Sequence, residues 1–340
     1  MKKELEIITI APTDIYFSWQ IHLWLESLKE IGMSNKATVL LFNPIGRPEN
    51  PIWSKLQELY PEASFHTYQD DGTVSPLLGI YIPILRLYTM RRYCEEYPEI
   101  ENKAVFYCDS DIIFTDKFDI SHLLNDEIIY CSDTNSYINA SYFDSKQKDV
   151  MPHMLAEYKT INVLDEAAKM VGITREICEK NNLHSGGTQY LLKKTNAKFW
   201  QDIFDKCIPL LIYLRGINQK FFENGNKGLQ VWTVDMWLVL WQLWANNQET
   251  KVVPELNFAW STDPISKLKT HTILHNAGIT GTSMNGHPTF FKGMYHNGGS
   301  PFKQGEHLYD VLENEESQKY CTGYYANKLN ELNIKYNLHY

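Results

Sequence analysis

The amino-acid sequence predicts an α/β protein with a doubly wound, mostly parallel sheet flanked by helices. Two observations support this class. Short apolar runs alternate with segments of helical spacing through the amino-terminal third of the 340-residue chain, which is the pattern of β-α-β units. Proline or glycine separates most of these segments, and right-handed connections between parallel strands then place helices on both faces of the sheet.

The amino-terminal elements are defined by apolar spacing and by the breaks that follow. Leu5–Ile10 is rich in isoleucine and predicts the first strand, and the apolar residues of Tyr16–Lys29 predict a helix that ends at Gly32. The next elements are predicted on the same grounds, in chain order, as a strand over Ala37–Phe42, a helix over Trp53–Tyr60, a strand over Ser64–Tyr68, a helix over Ile84–Tyr97 and a strand from Val105 to Cys108.

The later elements include a helical insertion and a carboxyl-terminal extension. A strand over Glu127–Ser132 precedes an insertion of loops and helices over 133–182, and Thr233 is predicted to cap a helix that carries a tryptophan stripe. The remaining predictions are a helix over Thr195–Tyr213, a flexible turn over Asn224–Gly228, strands over Val252–Pro254 and Ile273–His275, a structureless loop over Asn276–Gly305 and an amphipathic helix over Glu306–Tyr340.

Charge and cysteine content exclude several functional classes. The net charge of −9 argues against a broad surface for nucleic acid or anionic membrane. The six cysteines are scattered without a Cys-x-x-Cys pair, which indicates a reducing compartment and predicts a cytoplasmic protein. Glu4 and Glu6 interrupt any signal-peptide core, and the apolar segment Val231–Ala245 is too short to span a bilayer.

The chemically informative stretch follows the strand that ends at Cys108. Asp109 and Asp111 stand one residue apart between two apolar runs. Unpaired carboxylates are costly in apolar surroundings, and Mg²⁺ or Mn²⁺ commonly lies between one or two carboxylates and substrate phosphates. The competing interpretation is that the two aspartates cap a turn after the strand. In a doubly wound sheet, however, ligands bind beyond the carboxyl ends of the strands, where this pair is placed.

Three segments together resemble a known enzyme family. The sequence from Phe106 to Asp111, the preceding arginine-bearing helix and Ser185-Gly186-Gly187 are similar to nucleotide-sugar glycosyltransferases of the GT-A fold. The resemblance is to the glycogenin and galactosyltransferase group (family 8), and more loosely to the plant enzymes that glycosylate hydroxyproline or serine. It implies a GT-A-like sheet and transfer of a sugar from a nucleoside-diphosphate donor, a UDP-sugar by preference, to an acceptor hydroxyl, with retention favoured. The acceptor stays open among glycan, protein and small molecule.

The resemblance also implies a domain organisation. Residues 1–250 would form the nucleotide-sugar-binding core, with 133–182 inserted in it. Residues 251–340 would complete the metal site and supply an active-site loop and the terminal helix.

The resemblance assigns a metal site with Mn²⁺, or Mg²⁺, as the cofactor. Asp109 would contact the donor ribose and the metal, and Asp111 would bind the metal directly. A late histidine completes the coordination in the family, and His275 is the best match, with His271 and His296 as rivals. Imidazole beside carboxylates suits a borderline ion such as Mn²⁺.

The donor nucleotide is assigned to three further segments. Ala11, Pro12, Thr13 and Asp14, with Tyr16, resemble the segment that holds the base, and Ser110 lies within the nucleotide-binding Asp109-Ser110-Asp111 motif. Arg86 resembles the basic residue near the diphosphate. The competing interpretation is that Arg86 faces solvent, and Arg91 or Arg92 could serve instead.

The sugar and the reaction are assigned to residues in the second half of the chain. Ser185, Gly186 and Gly187 resemble the segment lining the donor sugar, where adjacent glycines let a backbone approach a ligand. Gln189 and Asp235 are the catalytic candidates, because an oxocarbenium-like centre needs a nearby carboxylate or amide oxygen. Asp235 also fits a helix N-terminal charge favoured by the helix dipole.

Two departures from the family and three rival functions bear on this assignment. The family's Gly-x-x-Lys-Pro-Trp segment is missing after His275, where Lys292 is a distant substitute, and the insertion over 133–182 differs from glycogenin. A phosphatase with an aspartate nucleophile is disfavoured, because its downstream Gly-Asp pair does not occur. A metal-dependent nucleotidyltransferase is the nearest enzymatic rival, and a sugar- or nucleotide-binding protein without turnover is the third.

Overall fold

The computed structural model describes residues 2–150, 161–221, 228–278, 281–303 and 306–338. The α-helices of these residues are α1 (Ile15–Glu30), α2 (Ile52–Leu59), α3 (Ile84–Glu96), α4 (Ala140–Val150), α5 (Val163–Val171), α6 (Arg175–Lys180), α7 (Ala197–Phe221), α8 (Val234–Ala245), α9 (Glu306–Glu313) and α10 (Cys321–Tyr336). The strands are β1 (Leu5–Pro12), β2 (Ala37–Asn43), β3 (Ser64–Gln69), β4 (Ala104–Cys108), β5 (Ile112–Phe114), β6 (Ile129–Asp133), β7 (Gly186–Lys193), β8 (Thr250–Val252), β9 (Phe258–Trp260), β10 (Ile273–His275), β11 (Ser283–Met284) and β12 (His287–Pro288).

The predicted fold class is confirmed. Within the described residues the main sheet has seven strands in the order β3-β2-β1-β4-β7-β6-β8. Strands β1, β2 and β3 pair in parallel, and β6 is parallel to β8 but antiparallel to β7. Helices α4, α5 and α6 occupy the predicted insertion, and α9 and α10 form the carboxyl-terminal extension.

The chain forms two compact units, each assembled from separate stretches of sequence. The first unit contains residues Met1–Glu4, Asp71–Val105 and Leu123–Val253, and the second contains Leu5–Asp70, Phe106–His122 and Pro254–Tyr340. The functional ranges 1–250 and 251–340 stay a prediction.

The second unit holds a small sheet that matters for the site. Strand β10 pairs antiparallel with β5 and parallel with β9. Beside it, Trp19 and Leu23 of α1 share one hydrophobic core with Tyr325 and Leu329 of α10. Burial of these large apolar side chains fixes the carboxyl-terminal helices, since removing such surface from water is the main favourable term in folding.

The first unit packs its helices around the tryptophan stripe. Helix α7 packs against α3 and α8. Trp237, Trp241 and Trp244 are all nearly inaccessible, so the stripe is core. The predicted helix at Thr233 is also present, but the cap is not: the Thr233 hydroxyl donates to the Gln230 carbonyl oxygen at 2.7 Å instead of accepting from α8.

Two boundaries near the carboxyl terminus differ from the prediction. The strand predicted over Val252–Pro254 is β8, which ends at Val252 because proline cannot donate to a strand ladder. The predicted terminal helix is two helices, since the Asn314 side chain accepts from the Ser317 amide at 2.9 Å in a turn between them.

The segment predicted as a structureless loop contains β11, β12 and a 3₁₀ turn, and its Phe290 and Tyr295 are buried. The turn predicted over 224–228 lies outside the described residues except for Gly228.

Two further features concern the cysteines and the lengths of the helices. All six cysteines are free and buried. Among the described helices none is both long enough and apolar enough to cross a bilayer.

Candidate active site

Strand pairing in the second unit brings the acid pair to a histidine. Asp109, Ser110 and Asp111 form the short link between β4 and β5. Strand β10 runs antiparallel to β5, with His275 opposite Ile112. The next residue of β10's chain, Asn276, therefore lies beside Asp111, and its backbone amide donates to the Asp111 carbonyl oxygen at 3.0 Å. The sheet register therefore places His275 beside Asp111, although the two residues lie far apart in sequence.

These three side chains form a compact set of oxygen and nitrogen atoms. The Nε2 atom of His275 lies 3.2 Å from Asp111 Oδ1 and 3.6 Å from Asp109 Oδ2. One ligand atom from each residue lies within 4.8 Å of the others. Asp111 and His275 are 6% and 4% exposed, whereas the Asp109 side chain is 26% exposed. The arrangement can therefore be reached from solvent at Asp109.

The two rival histidines do not join this cluster. His271 Nδ1 lies 2.9 Å from the Thr270 hydroxyl, and His296 Nδ1 donates to the Gly293 carbonyl oxygen at 2.6 Å. Among the described residues, His275 is the histidine that meets the aspartates.

Lys292 also reaches the acid pair, although in the sequence it was only a distant substitute. Its ammonium group forms an ion pair with Asp111 Oδ2. Burial would raise the pKa of Asp111, but the nearby positive charge of Lys292 and the His275 ring outweigh burial and lower that pKa. Burial acts in the opposite sense on Lys292, and the negative charge of Asp111 prevails and raises the pKa of the lysine.

Aromatic packing supports the imidazole of His275, in addition to the contact of its Nε2 with the aspartates. The indole of Trp260 stacks on the imidazole at 5.4 Å with an interplanar angle of 21°, and Phe258 approaches edge-on at 5.1 Å. Within the described part of the chain, His275 Nδ1 is buried without a hydrogen-bond partner. Nε2 is thus the atom presented to the carboxylates.

The donor set fits a divalent ion. Two carboxylates and an imidazole nitrogen supply the oxygen and nitrogen ligands that Mn²⁺ accepts, and Mg²⁺ accepts the carboxylates. Asp109, Asp111 and His275 would hold the ion.

The segment predicted to bind the base is ordered by side-chain contacts at the end of β1. Thr13 donates through its hydroxyl to Asn43 Oδ1 at 2.7 Å, and Trp53 donates to the Thr13 carbonyl oxygen at 3.2 Å. Asp14 caps α1 by accepting from the Tyr16 amide at 2.9 Å. Ala11 is fully buried and Pro12 is partly exposed.

Tyr16 connects this segment to the acid cluster. Burial raises the pKa of its hydroxyl, while the charge of Lys292 opposes and that of Asp111 reinforces the rise. Both charges therefore lie within electrostatic reach of the phenol.

In the first unit, the predicted residues Arg86 and Asp235 are paired with each other. Asp235 opens α8 and is 5% exposed. Its Oδ2 forms an ion pair with Arg86, and its Oδ1 accepts from the Tyr81 hydroxyl at 2.6 Å. Arg91 donates to Gln201 at 3.0 Å and Arg92 donates to the Tyr88 hydroxyl at 2.8 Å. A diphosphate contact by Arg86 stays a prediction.

The glycine pair belongs to β7, and one glycine has a structural explanation. A Cβ atom at Gly186 would overlap the Ser132 carbonyl oxygen on the neighbouring strand β6. A Cβ atom at Gly187 would overlap the Tyr190 hydroxyl. Ser185 is buried and donates to the Asn181 carbonyl oxygen at 3.1 Å. Close packing of protein backbone thus requires glycine at Gly186, and the sugar-lining role of the three residues stays a prediction.

Gln189 is the most unusual of the predicted catalytic candidates. Its side chain is fully buried, and neither its Nε2 nor its Oε1 atom has a hydrogen-bond partner among the described residues. Sequence reasoning missed Tyr81, Ser132 and Trp260, because a lone tyrosine, serine or tryptophan carries no spacing signal of its own.

The chain resembles known proteins in structure but not detectably in sequence. No family model matches it, and no curated protein matches it. Solved structures do match, and three glycosyltransferases among them each match with probability 1.00. The chain is similar to the bifunctional glycosyltransferase WbbM at 9% identity and a TM-score of 0.42, covering 94% of this chain and 51% of WbbM. It thus spans about half the length of that protein.

Two further similar structures are shorter. Mouse xyloside xylosyltransferase 1 matches at 9% identity and a TM-score of 0.38, covering 82% of this chain and 100% of that one. The galactosyltransferase LgtC, in complex with donor and acceptor sugar analogues, matches at 10% identity and a TM-score of 0.42, covering 97% and 95%. At this distance, the function of the chain has to be argued from its own side chains.

Proposed function

We propose that the protein is a metal-dependent glycosyltransferase. It moves a sugar from a nucleoside-diphosphate donor, a UDP-sugar by preference, to an acceptor hydroxyl, with retention of configuration. The observation that carries the proposal is the cluster of Asp109, Asp111 and His275, whose candidate ligand atoms come from separate segments of the chain and lie within 4.8 Å of one another. The capping of a turn, the competing interpretation of the aspartates, does not require a buried histidine facing both carboxylates.

The groups proposed for the diphosphate are the acid pair and its neighbours. Asp109, Asp111 and His275 hold the divalent ion, which when bound supplies positive charge that stabilises the departing nucleoside diphosphate. Lys292, which is ion-paired with Asp111, would be a second cation at the same place, and its ammonium could pair with a phosphate oxygen of the donor when Asp111 serves as a metal ligand. Tyr16, Ser110 and the stretch from Ala11 to Asp14 bind the nucleoside.

The groups proposed for the sugar are those that the family resemblance assigns to it. Ser185, Gly186 and Gly187 line the donor sugar, and the Gln189 amide oxygen stabilises the positive charge that develops at the anomeric carbon. Asp235 contacts sugar hydroxyls. Its two oxygens already accept from Tyr81 and Arg86, but a carboxylate has further lone pairs to offer. These roles follow the family resemblance and are separately testable by substitution.

The metal ion, the acceptor class and the cellular location belong to the same proposal. Mn²⁺ is preferred over Mg²⁺ because of the imidazole ligand. The acceptor is a glycan, a protein or a small molecule, and a cytoplasmic location stays a prediction from cysteine usage.

The nearest rival activity is nucleotidyl transfer, which also uses a metal-bound nucleotide, in this case a nucleoside triphosphate. It cleaves between phosphates and releases pyrophosphate, whereas sugar transfer releases a nucleoside diphosphate. Product identity therefore separates the two reactions. A binding protein without turnover would retain nucleotide-sugar affinity and release neither product.

The test is a screen of UDP-, GDP- and CDP-sugars with Mn²⁺. Slow donor hydrolysis and nucleotide binding are measured for the native protein, for Asp111→Asn and for the exposed control Asp119→Asn. We expect hydrolysis that releases a nucleoside diphosphate in the native and control proteins and a loss in Asp111→Asn. Absence of turnover and binding in native protein, or equal activity in Asp111→Asn, contradicts the proposal.

A further inference from the structure

The pairing of β6 with β7 is interrupted by a bulge directly before Gln189. Cys131 pairs with Tyr190, but Asp133 pairs with Gly186. Between these two pairs, β6 contributes only Ser132, while β7 contributes the three residues 187–189. Bulges bend a strand and redirect a side chain, and they are common next to active sites.

The middle residue of the bulge has an uncommon backbone conformation. Thr188 has a φ of 74°, in the left-handed region that β-branched residues rarely adopt. Thr188 is also buried, with 7% of its surface exposed, so contacts with water do not hold its backbone in this conformation. Such a backbone persists only where the surrounding structure enforces it.

The buried hydroxyl of Ser132 holds the backbone on both sides of Thr188. Ser132 Oγ donates to the Gly187 carbonyl oxygen. It also accepts from the backbone N–H of Gln189, at 3.4 Å. The two bonds bridge the residues on either side of Thr188. Ser132 is fully buried, so water does not compete for them.

The residue leaving the bulge is Gln189, whose side-chain amide is buried without a partner among the described residues. Leaving such a group unpaired is costly. A sugar hydroxyl both donates and accepts and would satisfy this amide. The bulge thus positions the side-chain amide of Gln189, which makes no hydrogen bond within the described part of the protein.

We propose that Ser132 is a positioning residue that acts through the bulge to hold Gln189 in its reactive orientation. This role rests on the proposed glycosyl transfer. Ser132 does not touch the sugar. Its hydroxyl fixes the Gly187 carbonyl and the Gln189 backbone amide, and the left-handed Thr188 then sets the direction of the Gln189 side chain.

A double-mutant cycle tests this role, because residues that act through one another have non-additive effects. Ser132→Ala, Gln189→Ala and the double variant are compared with native protein for kcat and donor KM. We expect Ser132→Ala to lower kcat about tenfold with KM within twofold, and to lower it no further in the Gln189→Ala background. The melting temperature of each variant is measured alongside.

The matched control removes another buried hydroxyl of the same sheet. Thr250 on β8 accepts from Trp244 at 2.9 Å and donates to the His184 carbonyl oxygen at 3.0 Å. Thr250→Val loses two hydrogen bonds, as Ser132→Ala does, and we expect a lower melting temperature with unchanged kcat. If Ser132→Ala does not fold, Ser132→Cys keeps a weak donor of similar size and should give a smaller fall in kcat.

The outcomes separate the two proposals. A native protein that turns over no donor overturns the proposed function and this role with it. An active native protein with additive losses from Ser132→Ala and Gln189→Ala overturns only the role of Ser132. A loss of kcat in Thr250→Val equal to that in Ser132→Ala also overturns it, since general destabilisation would then explain both.

Discussion

Two of the nearly buried aspartates have different surroundings, Asp111 in the second unit and Asp235 in the first. Both lie beside a basic side chain and both are about equally inaccessible, at 6% and 5% exposure. Asp235 is met by the Arg86 guanidinium and the Tyr81 hydroxyl, one on each oxygen. Asp111 is met by the Lys292 ammonium and by the imidazole of His275, and a second carboxylate, Asp109, faces the same imidazole.

The difference shows how the neighbours of a carboxylate decide its use. A guanidinium and a phenol that occupy both oxygens stabilise the charge of Asp235 with donors that cannot leave without great cost. A flexible ammonium can leave, and two carboxylates facing one imidazole are a ligand set for a divalent ion. Asp111 is therefore suited to exchange Lys292 for a metal ion, whereas Asp235 is suited to keep Arg86 as its partner.

The most severe change separates the two aspartates by function. Asp111→Asn should lower donor turnover on the order of a hundredfold or more, because charge stabilisation of the leaving group is lost. It should also abolish Mn²⁺ binding measured by calorimetry. Asp235→Asn should leave Mn²⁺ affinity within twofold of native protein, whatever it does to turnover. Equal losses of Mn²⁺ affinity in the two variants would erase the distinction.

The second prediction concerns stability at Asp235. Arg86→Met leaves the Asp235 carboxylate buried without its cation and should lower the free energy of unfolding by about 3 kcal/mol. This is the lower part of the range for buried pairs, because the Arg86 side chain is 22% exposed. Urea unfolding measures the change.

The matching control is the double variant Arg86→Met with Asp235→Leu. It removes both charges and should recover more than half of the lost stability, since a well-packed apolar pair often replaces a buried ion pair without loss. A double variant no more stable than Arg86→Met would mean that packing, rather than the unpaired charge, causes the loss.

The third prediction tests the exchange of partners at Asp111. Lys292→Met removes the ammonium that the ion must displace, so Mn²⁺ affinity without nucleotide should rise about fivefold, or roughly 1 kcal/mol. The exposed lysine variant Lys267→Met serves as control and should bind Mn²⁺ as native protein does. Weaker Mn²⁺ binding in Lys292→Met would mean that Lys292 supports the ion site instead of competing for it.

The mildest change concerns the orientation of His275. Trp260→Leu removes the stacked indole and should lower Mn²⁺ affinity about threefold, because groups that orient a ligand tune metal binding. Trp260→Phe keeps an aromatic face and should lie between Leu and native protein. Mn²⁺ titration followed by electron paramagnetic resonance measures the bound fraction. Identical affinities in all three proteins would show that β10 alone orients the imidazole.

Much of the fold and one half of the metal site could be predicted from local patterns. Runs such as Leu5–Ile10 and Ala37–Phe42 are strands in the structure within two residues of the predicted ends. The Asp109-x-Asp111 pair was identifiable because it interrupts an apolar run, and burial of charge is costly wherever it occurs. Thr233 shows the limit of this reasoning, because its hydroxyl can either donate or accept locally and the sequence does not state which bond forms.

Local sequence was sufficient for the amino-terminal strands and helices and for the chemistry of the acid pair, because apolar periodicity and charge are properties of neighbouring residues. Tertiary structure was needed to establish that His275 rather than His271 meets the aspartates, that Lys292 reaches Asp111 and that Arg86 is paired with Asp235. These contacts join residues that are distant along the chain, and they depend on strand register and helix packing. A one-residue shift of β10 against β5 would turn His275 to the opposite face of the sheet, and no local pattern records that register.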